Sequence, residues 1–388
     1  MKLAVFSHKL CWPSAASPSG YATDGGFPLQ MQTLSELFDA TTLVVPVANH
    51  AAVVGEMPLT GRGLRIVSLT DPTGEGWRRK LRMLLWTLQN APTLWRETRA
   101  ADAVHVPIPG DVGTIGMLLA WLLGKPLFIR YCGNWLRQDT LAERFWRGFM
   151  EFCAGDRNVC LATGGTDQPP SLRNQAIRWI FSTSLTRREI ELCATTRDAA
   201  SLTAPRLVIA CRQEFKKGTD VVLESLALLQ TEFPELHFDV VGDGGALSEF
   251  KQLANRLEIT GRVTFHGKVN HDRVIELLKQ ADLFCFPTTS SEGFPKAVLE
   301  AMACGLPVVT TRVSVLPQLL NNGGGVLLNE ATPVAVAEAV RHCLSDPQRY
   351  RLMSERAVVA AQQYSLEHWR DTIGGYLRDA WGPLQSHS

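Results

Sequence analysis

Two glutamates eight positions apart, Glu292 and Glu300, are the side chains of this sequence best suited to hold a ligand. They belong to the string SEGFPKAVLEAMACGLP, which ends at Pro307. Ionised carboxylates accept hydrogen bonds from hydroxyl groups, and the residues between the two glutamates favour a helix. One carboxylate would then face a ligand from a loop, and the other would reach it from within the helix.

The residues around the two glutamates predict a strand, a loop, a helix and a second strand. Pro295 suits the first helical turn, residues 296–304 favour a helix, and Gly305 suits the left-handed position after it. Ligands of parallel sheets bind at loops of this kind. The free N–H groups of residues 294–297 would attract a phosphate, and Glu300 would reach past it towards a ribose.

The whole string resembles the signature of the retaining glycosyltransferases of family 4, which have the GT-B fold. In that family the first glutamate contacts the donor sugar and the second binds the ribose hydroxyls. The resemblance implies these roles for Glu292 and Glu300, whereas an ordinary amphipathic helix with solvated glutamates is the alternative. It also implies that the diphosphate is held by the residues after the first glutamate, namely Gly293, Phe294, Pro295 and Lys296.

A second basic loop, ACRQEFKKG, leaves the first predicted strand of the second half. Arg212 and Lys217 match the Arg and Lys-Gly with which the family contacts the diphosphate, whereas Cys211 replaces the usual glycine. Cations stabilise the negative charge that grows on a departing nucleoside diphosphate. We therefore predict that Arg212 and Lys217 are catalytic together with Glu292, rather than being ordinary exposed loop cations.

Two further loops resemble parts of the family's donor site. Gly242 would allow close backbone approach, and Asp243 would either bind the ligand or cap the next helix. The string FHGKV, residues 265–269, resembles the loop that receives the nucleotide base, which implies contacts from Lys268 and Val269. We expect His266 to be a packed strand residue rather than a catalyst.

In the first half the resemblance to the family holds in outline. Gly25 and Gly26 open a helix and resemble the glycine-rich loop that reaches the donor phosphates or the acceptor. Cys132 stands where the family often has a histidine that contacts the donor sugar, and we expect it to be a buried cysteine. Arg130 and Asn134 are then the candidates for the sugar or acceptor contact.

Length and composition predict two globular domains, because 388 residues with 45% hydrophobic and 20% charged side chains exceed one ordinary domain. A net charge of +1 gives no reason to expect a nucleic-acid partner. Nine scattered cysteines without a C-x-x-C motif predict a reducing compartment and no zinc site. Since no Asp-x-Asp occurs either, we expect no metal and no cofactor, the nucleotide sugar being a substrate.

Apolar runs alternate with helical patterns along both halves, which predicts α/β domains with parallel, doubly wound sheets. In the first half the predicted strands are residues 3–6, 43–47, 64–69, 103–107, 127–131, 159–162 and 179–181, and the predicted helices are 28–38, 78–97, 114–123 and 141–152. In the second half the predicted strands are 207–211, 237–241, 263–266, 284–287, 308–310 and 325–328, and the predicted helices are 218–229, 247–257, 273–279, 296–304 and 333–344.

The resemblance implies GT-B architecture, in which two Rossmann-like domains face each other across a cleft. We assign residues 1–200 to an acceptor-binding domain and 205–364 to a donor-binding domain, with a linker in 186–204. Residues 365–388 contain a predicted amphipathic helix, and in GT-B proteins the last helix crosses back to the first domain.

Residues 77–99 combine basic and tryptophan side chains on a helical pattern. Six basic residues there accompany one acid, Glu97, so this face would contact an anionic membrane surface, unless Trp86 and its leucine neighbours are simply core. The amino-terminal apolar run is too short for a signal peptide, and the longest apolar stretch, residues 112–124, is too short to span a bilayer. We expect a cytoplasmic protein that rests peripherally on the inner face of the membrane.

The residues and the resemblance together predict a retaining, metal-independent hexosyltransferase. It would move a sugar from a nucleoside diphosphate donor, with UDP favoured over GDP, to a hydroxyl of a glycan or lipid-linked acceptor in polysaccharide or glycolipid synthesis. One alternative is a GT-B epimerase or phosphorylase. The other is a non-catalytic subunit that binds a nucleotide sugar.

Overall fold

The computed structural model describes residues 1–48, 56–71, 76–138, 140–166, 168–194, 204–290 and 294–385, with the backbone alone in 76–82. The chain divides into two compact units. The first unit comprises residues 1–164, 168–184 and 366–388, and the second comprises 165–167 and 185–365.

The first unit contains ten strands among its described residues, because short apolar runs alternate with helices along this part of the chain. They are β1 (Lys2–Phe6), β2 (Trp12–Pro13), β3 (Tyr21–Asp24), β4 (Ala40–Pro46), β5 (Glu56–Pro58), β6 (Leu64–Leu69), β7 (Ala103–Ile108), β8 (Leu127–Tyr131), β9 (Asn158–Thr163) and β10 (Arg178–Ile180). Seven of them form a parallel sheet in the order β10-β9-β8-β7-β1-β4-β6. The strand order reverses between β7 and β1, as in doubly wound folds.

Helices cover both faces of this sheet. Those of the amino-terminal part are α1 (Phe27–Ser35), α2 (Gly76–Ala100), α3 (Asp111–Leu122) and α4 (Leu141–Cys153). One apolar cluster joins the sheet to α2, α3 and α4 through residues such as Leu94, Met117 and Met150. A second cluster joins the opposite face to α1 through Met31 and Leu34.

A small antiparallel sheet in the order β2-β3-β5 was absent from the sequence expectations. Its strands are two to four residues long. Runs of that length do not show a period-2 pattern, so only the pairing of distant segments reveals them. This sheet holds the segment that leads to Gly25 and Gly26 at the start of α1.

The second unit contains six parallel strands among its described residues, in the order β13-β12-β11-β14-β15-β16. They are β11 (Arg206–Ala210), β12 (His237–Val241), β13 (Val263–Gly267), β14 (Leu283–Phe286), β15 (Val308–Thr311) and β16 (Gly325–Leu328). Its helices are α5 (Arg187–Cys193), α6 (Thr219–Leu229), α7 (Leu247–Arg256), α8 (His271–Gln280), α9 (Lys296–Ala303), α10 (Leu316–Leu319), α11 (Pro333–Leu344) and α12 (Pro347–Gln362).

The predicted linker at 186–204 and the first-domain boundary at residue 200 need correction. The first unit ends at Ser184 before the chain returns to it, and α5 belongs to the second unit. Thr186 starts α5 because its hydroxyl accepts from the Glu189 N–H while the Glu189 carboxylate accepts in return. Seven residues are too few to show a helical period, so the capping box was the available signal.

The helix α12 was not predicted, and it supports the helix that carries Glu300. Asp346 caps α12 by accepting from the N–H groups of Gln348 and Arg349. The Ser354 hydroxyl then donates to the carbonyl of Gly305, just after α9, at 2.6 Å. Because Ser354 is buried, this bond fixes the carboxyl end of α9 against α12.

The last helix, α13 (Leu366–Trp381), lies in the first unit, as the GT-B fold predicts. It packs beside α1 and buries Trp369, Ile373 and Leu377 in the same apolar cluster. Among the described residues, none of the helices is both long and apolar enough to cross a membrane.

Candidate functional site

A cavity of about 390 Å³ lies in the second unit at the carboxyl ends of β11 and β14. These strands are neighbours, and the strand order reverses between them. Parallel α/β sheets bind ligands at this reversal point. The side chains that line the cavity include Arg212, Glu214, Lys216 and Lys217 from the loop after β11, and Pro295 and Lys296 from the start of α9.

The loop after β11 forms the basic wall of the cavity. After a 3-10 turn at Phe215–Lys217, Gly218 adopts φ +84 and allows α6 to begin at once. A Cβ at Gly218 would lie 2.5 Å from the carbonyl oxygen of Pro287, after β14, so only glycine fits there. The tight turn places Lys217 on the cavity next to Arg212.

Gln213, which carried no assignment from the sequence, holds this loop in place. It is fully buried, and its amide donates to the carbonyls of Cys211 and Val241, each at 3.0 Å. Its amide oxygen accepts from the Thr219 hydroxyl at 2.8 Å. A loop glutamine shows no pattern in the sequence, because one of its partners lies 28 residues away on β12.

The loops after β11 and β14 are tied together at the carbonyl of Lys216. This oxygen accepts from the hydroxyl of Thr288 at 3.0 Å and from the N–H of Thr289 at 2.9 Å. Thr288 is buried, and its own carbonyl accepts a hydrogen bond from Thr311. The loop after β11 is therefore tied to the first residues that follow β14.

The other wall is the amino end of α9. Pro295 is the residue before the helix rather than part of its first turn, and its carbonyl accepts from the N–H groups of Val298 and Leu299. Among the described residues, the N-cap position is held by Pro295, whose side chain makes no capping hydrogen bond. Cys304 ends the helix and Gly305 adopts φ +74, in the left-handed region that the sequence predicted.

Among the described residues, four Lys and Arg side chains and one carboxylate line the cavity, which makes this lining strongly cationic. Glu214 pairs with Lys216 at 3.1 Å and with Arg212 at 3.7 Å. The hydrogen bond from Lys216 lowers the pKa of Glu214. Burial lowers the pKa of Lys217, because a half-buried ammonium loses hydration. An anionic ligand would restore the favourable environment of that charge.

Cys211 borders the cavity, but its chemistry is not that of a nucleophile. Burial raises the pKa of its thiol to about 12. The reactive form of cysteine is the thiolate, so this side chain stays protonated and inert near neutral pH.

Glu300 lies one helical turn beyond Lys296 on the same face of α9, and it is 8% exposed. Its carboxylate contacts Nε2 of His271 on α8 at 3.2 Å. His271 directly follows the loop that holds Lys268 and Val269, of which Lys268 is exposed and Val269 is half-buried. The contact between His271 and Glu300 therefore brings the segment with Lys268 and Val269, which precedes α8, towards Glu300.

Gly242 and Asp243 follow β12, as predicted. Gly242 adopts φ +113, and a Cβ there would lie 1.9 Å from the carbonyl oxygen of Cys211. Asp243 is exposed and accepts from the N–H of Gly244, whereas Ala246 precedes α7. The interpretation of Asp243 as a helix cap is therefore wrong, and a ligand role for it stays a prediction.

His266 is a packed strand residue, as expected. Its Nε2 lies 2.8 Å from the Asp239 carboxylate, which is buried and also accepts from Arg206 at 2.7 Å. These contacts fix the end of β13, where the base-binding loop begins.

Two predicted site residues, Glu292 and Gly293, lie outside the described residues. The structure therefore gives no geometry for the predicted sugar contact. Phe294, which follows them, is buried and packs against Tyr364 with ring centroids 5.6 Å apart.

Residues 198–359 match the family model described as "Glycosyl transferases group 1". The chain is 25% identical over 315 residues to the alpha-D-kanosaminyltransferase of Streptomyces kanamyceticus, covering 76% of this chain and 81% of that protein. It is 36% identical to the N-acetyl-alpha-D-glucosaminyl L-malate synthase of Bacillus anthracis over 37% of each chain. These matches support glycosyl transfer.

The solved structure of Anabaena HepE in complex with UDP aligns with 98% of this chain at a TM-score of 0.71 and 17% identity, and the alignment covers all of that chain. The chain has the GT-B fold. At this identity the likeness concerns the fold alone, and the roles of single residues depend on the geometry of the site.

In the first unit, Gly25 and Gly26 lie directly before α1, and their contact with the donor phosphates or the acceptor stays a prediction. Gly25 adopts φ +70, and Gly26 precedes α1, which no side chain caps. Asp24 pairs with Lys9 just before this turn. The start of α1 thus presents backbone N–H groups at the carboxyl edge of the first sheet.

Arg130, a candidate for the sugar or acceptor contact, is a buried side chain of β8, and that role stays a prediction. It is 4% exposed, donates to Gln30 at 2.9 Å and lies over the ring of Trp369, 5.2 Å from its centroid. Strand alternation points this side chain under α1 and α13, which the sequence prediction did not consider. Its Nε and Nη1 atoms are buried and have no hydrogen-bond partner among the described residues.

Of the neighbouring predictions, the one for Cys132 needs correction, whereas a sugar or acceptor contact from Asn134 stays a prediction. Asn134 organises a turn, since its side-chain oxygen accepts from the N–H groups of Leu136 and Arg137. Cys132 is exposed rather than buried, with its sulfur 3.6 Å from the carbonyl of Arg130. It follows the last residue of β8, where the chain leaves the sheet.

In the part of the chain that the structure describes, no cluster of three or more His, Cys, Asp or Glu side chains could hold a metal ion. Metal independence stays a prediction. Among the described residues, the cations that line the cavity are able to compensate the negative charge of a diphosphate.

Proposed function

We propose that this chain is a retaining family 4 glycosyltransferase that transfers a hexose from a nucleoside diphosphate donor to a hydroxyl group. The nucleoside diphosphate of the preferred donor is UDP, and GDP is the second choice. HepE, which shares the fold, was solved with UDP, and another relative is a GDP-mannose-dependent mannosyltransferase. The acceptor is a glycan or a lipid-linked sugar in polysaccharide or glycolipid synthesis.

The observation that carries this proposal is the cationic cavity at the strand-order reversal of the second unit. Its volume of about 390 Å³ accommodates a small phosphorylated ligand. Arg212 and Lys217 reach it from one wall, and the start of α9 reaches it from the other. A helix amino end and two cations are a natural receptor for a diphosphate.

The same groups support departure of the donor's nucleoside diphosphate. Negative charge grows on the bridging oxygen as the sugar–oxygen bond breaks, and Arg212, Lys217 and the α9 dipole stabilise it. Retention without a covalent nucleophile fits front-side attack, in which the departing phosphate oxygen accepts the proton of the acceptor hydroxyl.

The remaining roles follow from the resemblance and the order of the site along α9. Glu292 contacts the sugar, Gly293 to Lys296 hold the diphosphate, and Glu300 binds the ribose one turn further along. Lys268 and Val269 receive the base, and Gly242 and Asp243 border the donor. The residues predicted for the acceptor side, Gly25 and Gly26, belong to the first unit.

A GT-B epimerase or phosphorylase is the enzymatic alternative. An epimerase needs carboxylate acid and base groups from both domains, and the sequence offers no obvious counterpart in residues 1–200. A non-catalytic nucleotide-sugar-binding subunit is the other alternative. The presence of Arg212 and Lys217 on an open cavity favours an active enzyme.

A membrane location is supported by two features of the first unit. The helix α2 carries four basic residues in 78–82, and exposed apolar side chains follow on α2, α3 and α4. They include Leu84, Leu88, Trp95, Trp121, Leu122, Phe145 and Phe152. We propose that this protein acts on the cytoplasmic side, resting on an anionic membrane.

The experiment that tests the activity is thermal unfolding of the full chain with UDP, GDP, ADP and their glucose and N-acetylglucosamine forms. Stabilisation by one base series is expected, because ligands that bind the folded state alone raise the Tm. The stabilising donor is then assayed for transfer to glycan and lipid-linked acceptors. Interconversion of the donor without any acceptor would favour the epimerase.

Metal independence has a separate test. Because Arg212, Lys217 and α9 meet the leaving-group charge, transfer should continue in excess EDTA. Loss of transfer with EDTA and recovery with Mg²⁺ would contradict this assignment of the leaving-group charge.

A further inference from the structure

His271 and Glu300 form a contact that the proposed chemistry does not yet use. His271 is the first residue of α8, and Glu300 lies in the middle of α9. The Nε2 atom of the imidazole is 3.2 Å from Oε1 of the carboxylate. The histidine side chain is half exposed, whereas that of the glutamate is about one-tenth exposed.

The carboxylate of Glu300 needs a partner because it is nearly buried. A buried charge without hydrogen bonds is strongly destabilising. Of the hydrogen bonds among described residues, the one to this carboxylate comes from His271. One carboxylate oxygen is thereby held from the α8 side, while the second keeps its capacity to accept from a ligand.

The position of His271 is set by the backbone around it. Asn270 caps α8, since its side-chain oxygen accepts from the N–H of Arg273 at 2.9 Å. The cap fixes where α8 begins, and thus where the imidazole projects. The same loop holds Lys268 and Val269, so His271 lies between the proposed base-binding loop and the proposed ribose-binding carboxylate.

The position of Glu300 relative to the cavity is set by α9. Lys296 lines the cavity, and Glu300 follows four residues later on the same face, about 6 Å further along the helix axis. A ligand that places its diphosphate at the start of α9 would bring its ribose towards Glu300. The free carboxylate oxygen then determines how well the two ribose hydroxyls are held.

We propose that His271 is a positioning residue for donor binding, which orients the Glu300 carboxylate for the ribose of the nucleotide. This inference rests on the proposed function. The imidazolium donates its Nε2–H to one oxygen of Glu300, and the other oxygen accepts from the ribose. His271 itself touches neither the sugar nor the diphosphate.

The protonation state of His271 controls this arrangement. The hydrogen bond and charge of Glu300 raise the pKa of His271 above its ordinary value of 6.5, although burial opposes the shift. The charged groups that face it are Glu300 on α9, Glu189 on α5 and Asp272 on α8, with the Cys193 thiol nearby. These acids favour the imidazolium, which donates more strongly than the neutral ring.

The direction of the pH effect follows from this shift. Because the folded pKa lies above 6.5, the imidazolium contact is fully present below that pH and is lost as the pH rises through the raised pKa. Nucleotide affinity should therefore fall with rising pH over that window. The terminal phosphate of the nucleotide also titrates, so the pH profile must be compared between variants at each pH.

The experiment measures Kd by calorimetry for UDP, GDP and inorganic pyrophosphate with the full chain and the variants His271→Ala and His271→Gln. We expect His271→Ala to weaken the preferred nucleotide about tenfold and to leave pyrophosphate unchanged. The glutamine amide also donates a hydrogen bond, so His271→Gln should stay within about threefold of the wild type and show a flatter pH profile. Gln280→Ala, which removes an exposed side chain at the far end of α8, is the matched control.

Three results would overturn the inference. The first is a His271→Ala variant that binds nucleotide with the wild-type affinity and pH profile. The second is an equal loss for pyrophosphate, which would indicate a general distortion of the cavity. The third is a His271→Gln variant as weak as His271→Ala. If His271→Ala does not fold, the affinity and pH profile of His271→Gln, compared with the pH profile of the wild type, still test the inference. A wild-type protein without affinity for any nucleotide would instead refute the proposed function itself.

Discussion

At the scale of single residues, the cavity of the second unit is lined by side chains of opposite charge. Arg212 and Lys216 share the Glu214 carboxylate, and Lys217 carries a charge that burial disfavours. Further along α9, Glu300 is an acid held by His271. This sequence of cations followed by a carboxylate matches a ligand with a diphosphate at one end and hydroxyl groups at the other.

Replacing Glu300 should weaken nucleotide binding strongly. Glu300→Ala removes a charge-assisted hydrogen bond of about 1.5–3 kcal/mol, so the affinity should fall by about one to two orders of magnitude. Calorimetry with the preferred nucleoside diphosphate measures the change. Glu338→Ala, which removes an exposed carboxylate of α11, is the control. Unchanged affinity in a folded Glu300→Ala variant would exclude Glu300 from the ribose site.

Replacing Glu214 should have the opposite effect. Its carboxylate pairs with two of the cations that would otherwise meet the diphosphate. Glu214→Gln should therefore tighten pyrophosphate and nucleoside diphosphate binding about threefold at low salt, with a smaller gain at high salt. Titrations at two ionic strengths check this. Weaker binding by Glu214→Gln would mean that the carboxylate organises Arg212 instead of competing for it.

At the scale of elements, the site depends on loops that follow parallel strands and on the helices that anchor them. Gln213 joins the loops after β11 and β12, and Lys216 joins the loops after β11 and β14. The helix α12 holds the end of α9 through Ser354. The cavity walls are thus fixed by buried hydrogen bonds within one unit, which preorganises them for a ligand.

A substitution at Gly242 tests how firmly the loop after β12 is held. A Cβ there would lie 1.9 Å from the carbonyl oxygen of Cys211, and φ is +113, so Gly242→Ala should destabilise the protein by about 2–4 kcal/mol. Gly245→Ala is the matched control, because its Cβ would meet no atom within 4 Å. Denaturant unfolding compares the two. Equal stability of both variants would show that the loop after β12 moves freely.

At the scale of the whole molecule, the two units differ in charge and in surface. Residues 1–200 carry 21 Lys and Arg against 17 Asp and Glu, a net charge of +4, and the remainder carries 18 against 21, a net charge of −3. The first unit also exposes aromatic side chains such as Trp121 and Phe145, which stand on neighbouring helices. Aromatic and basic side chains together suit the interfacial region of an anionic membrane.

Co-sedimentation with liposomes tests the membrane contact. Wild-type protein should bind anionic vesicles at low salt and bind neutral vesicles weakly, because basic residues near lipid contribute about 1 kcal/mol each and salt screens them. Both Arg78→Glu with Arg79→Glu and Trp121→Ser with Phe145→Ser should reduce binding. Leu192→Ser with Leu352→Ser, which removes exposed leucines of the second unit, is the control. Binding that survives both test variants would point to a soluble glycan acceptor.

Much of the fold was predictable from the sequence alone. The strands of both parallel sheets, most of the helices that flank them, the left-handed Gly305 and the return of α13 to the first unit follow from local periodicity, turn chemistry and a family signature. These signals are contiguous, because buried parallel strands are short apolar runs and each is followed by an amphipathic helix. For the same reason the loop with Arg212 and Lys217 and the helix with Glu300 could be identified in the sequence.

The tertiary structure decided what depends on pairs distant in sequence. His271 meets Glu300 across 29 residues, Gln213 meets Val241 across 28, and Arg130 meets Gln30 across 100. No spacing along the chain encodes such contacts, because neighbouring strands and helices bring them together only once the sheets have formed. For that reason the sequence could indicate the residues of the candidate site, whereas only the folded chain decided which side chains hold them in place.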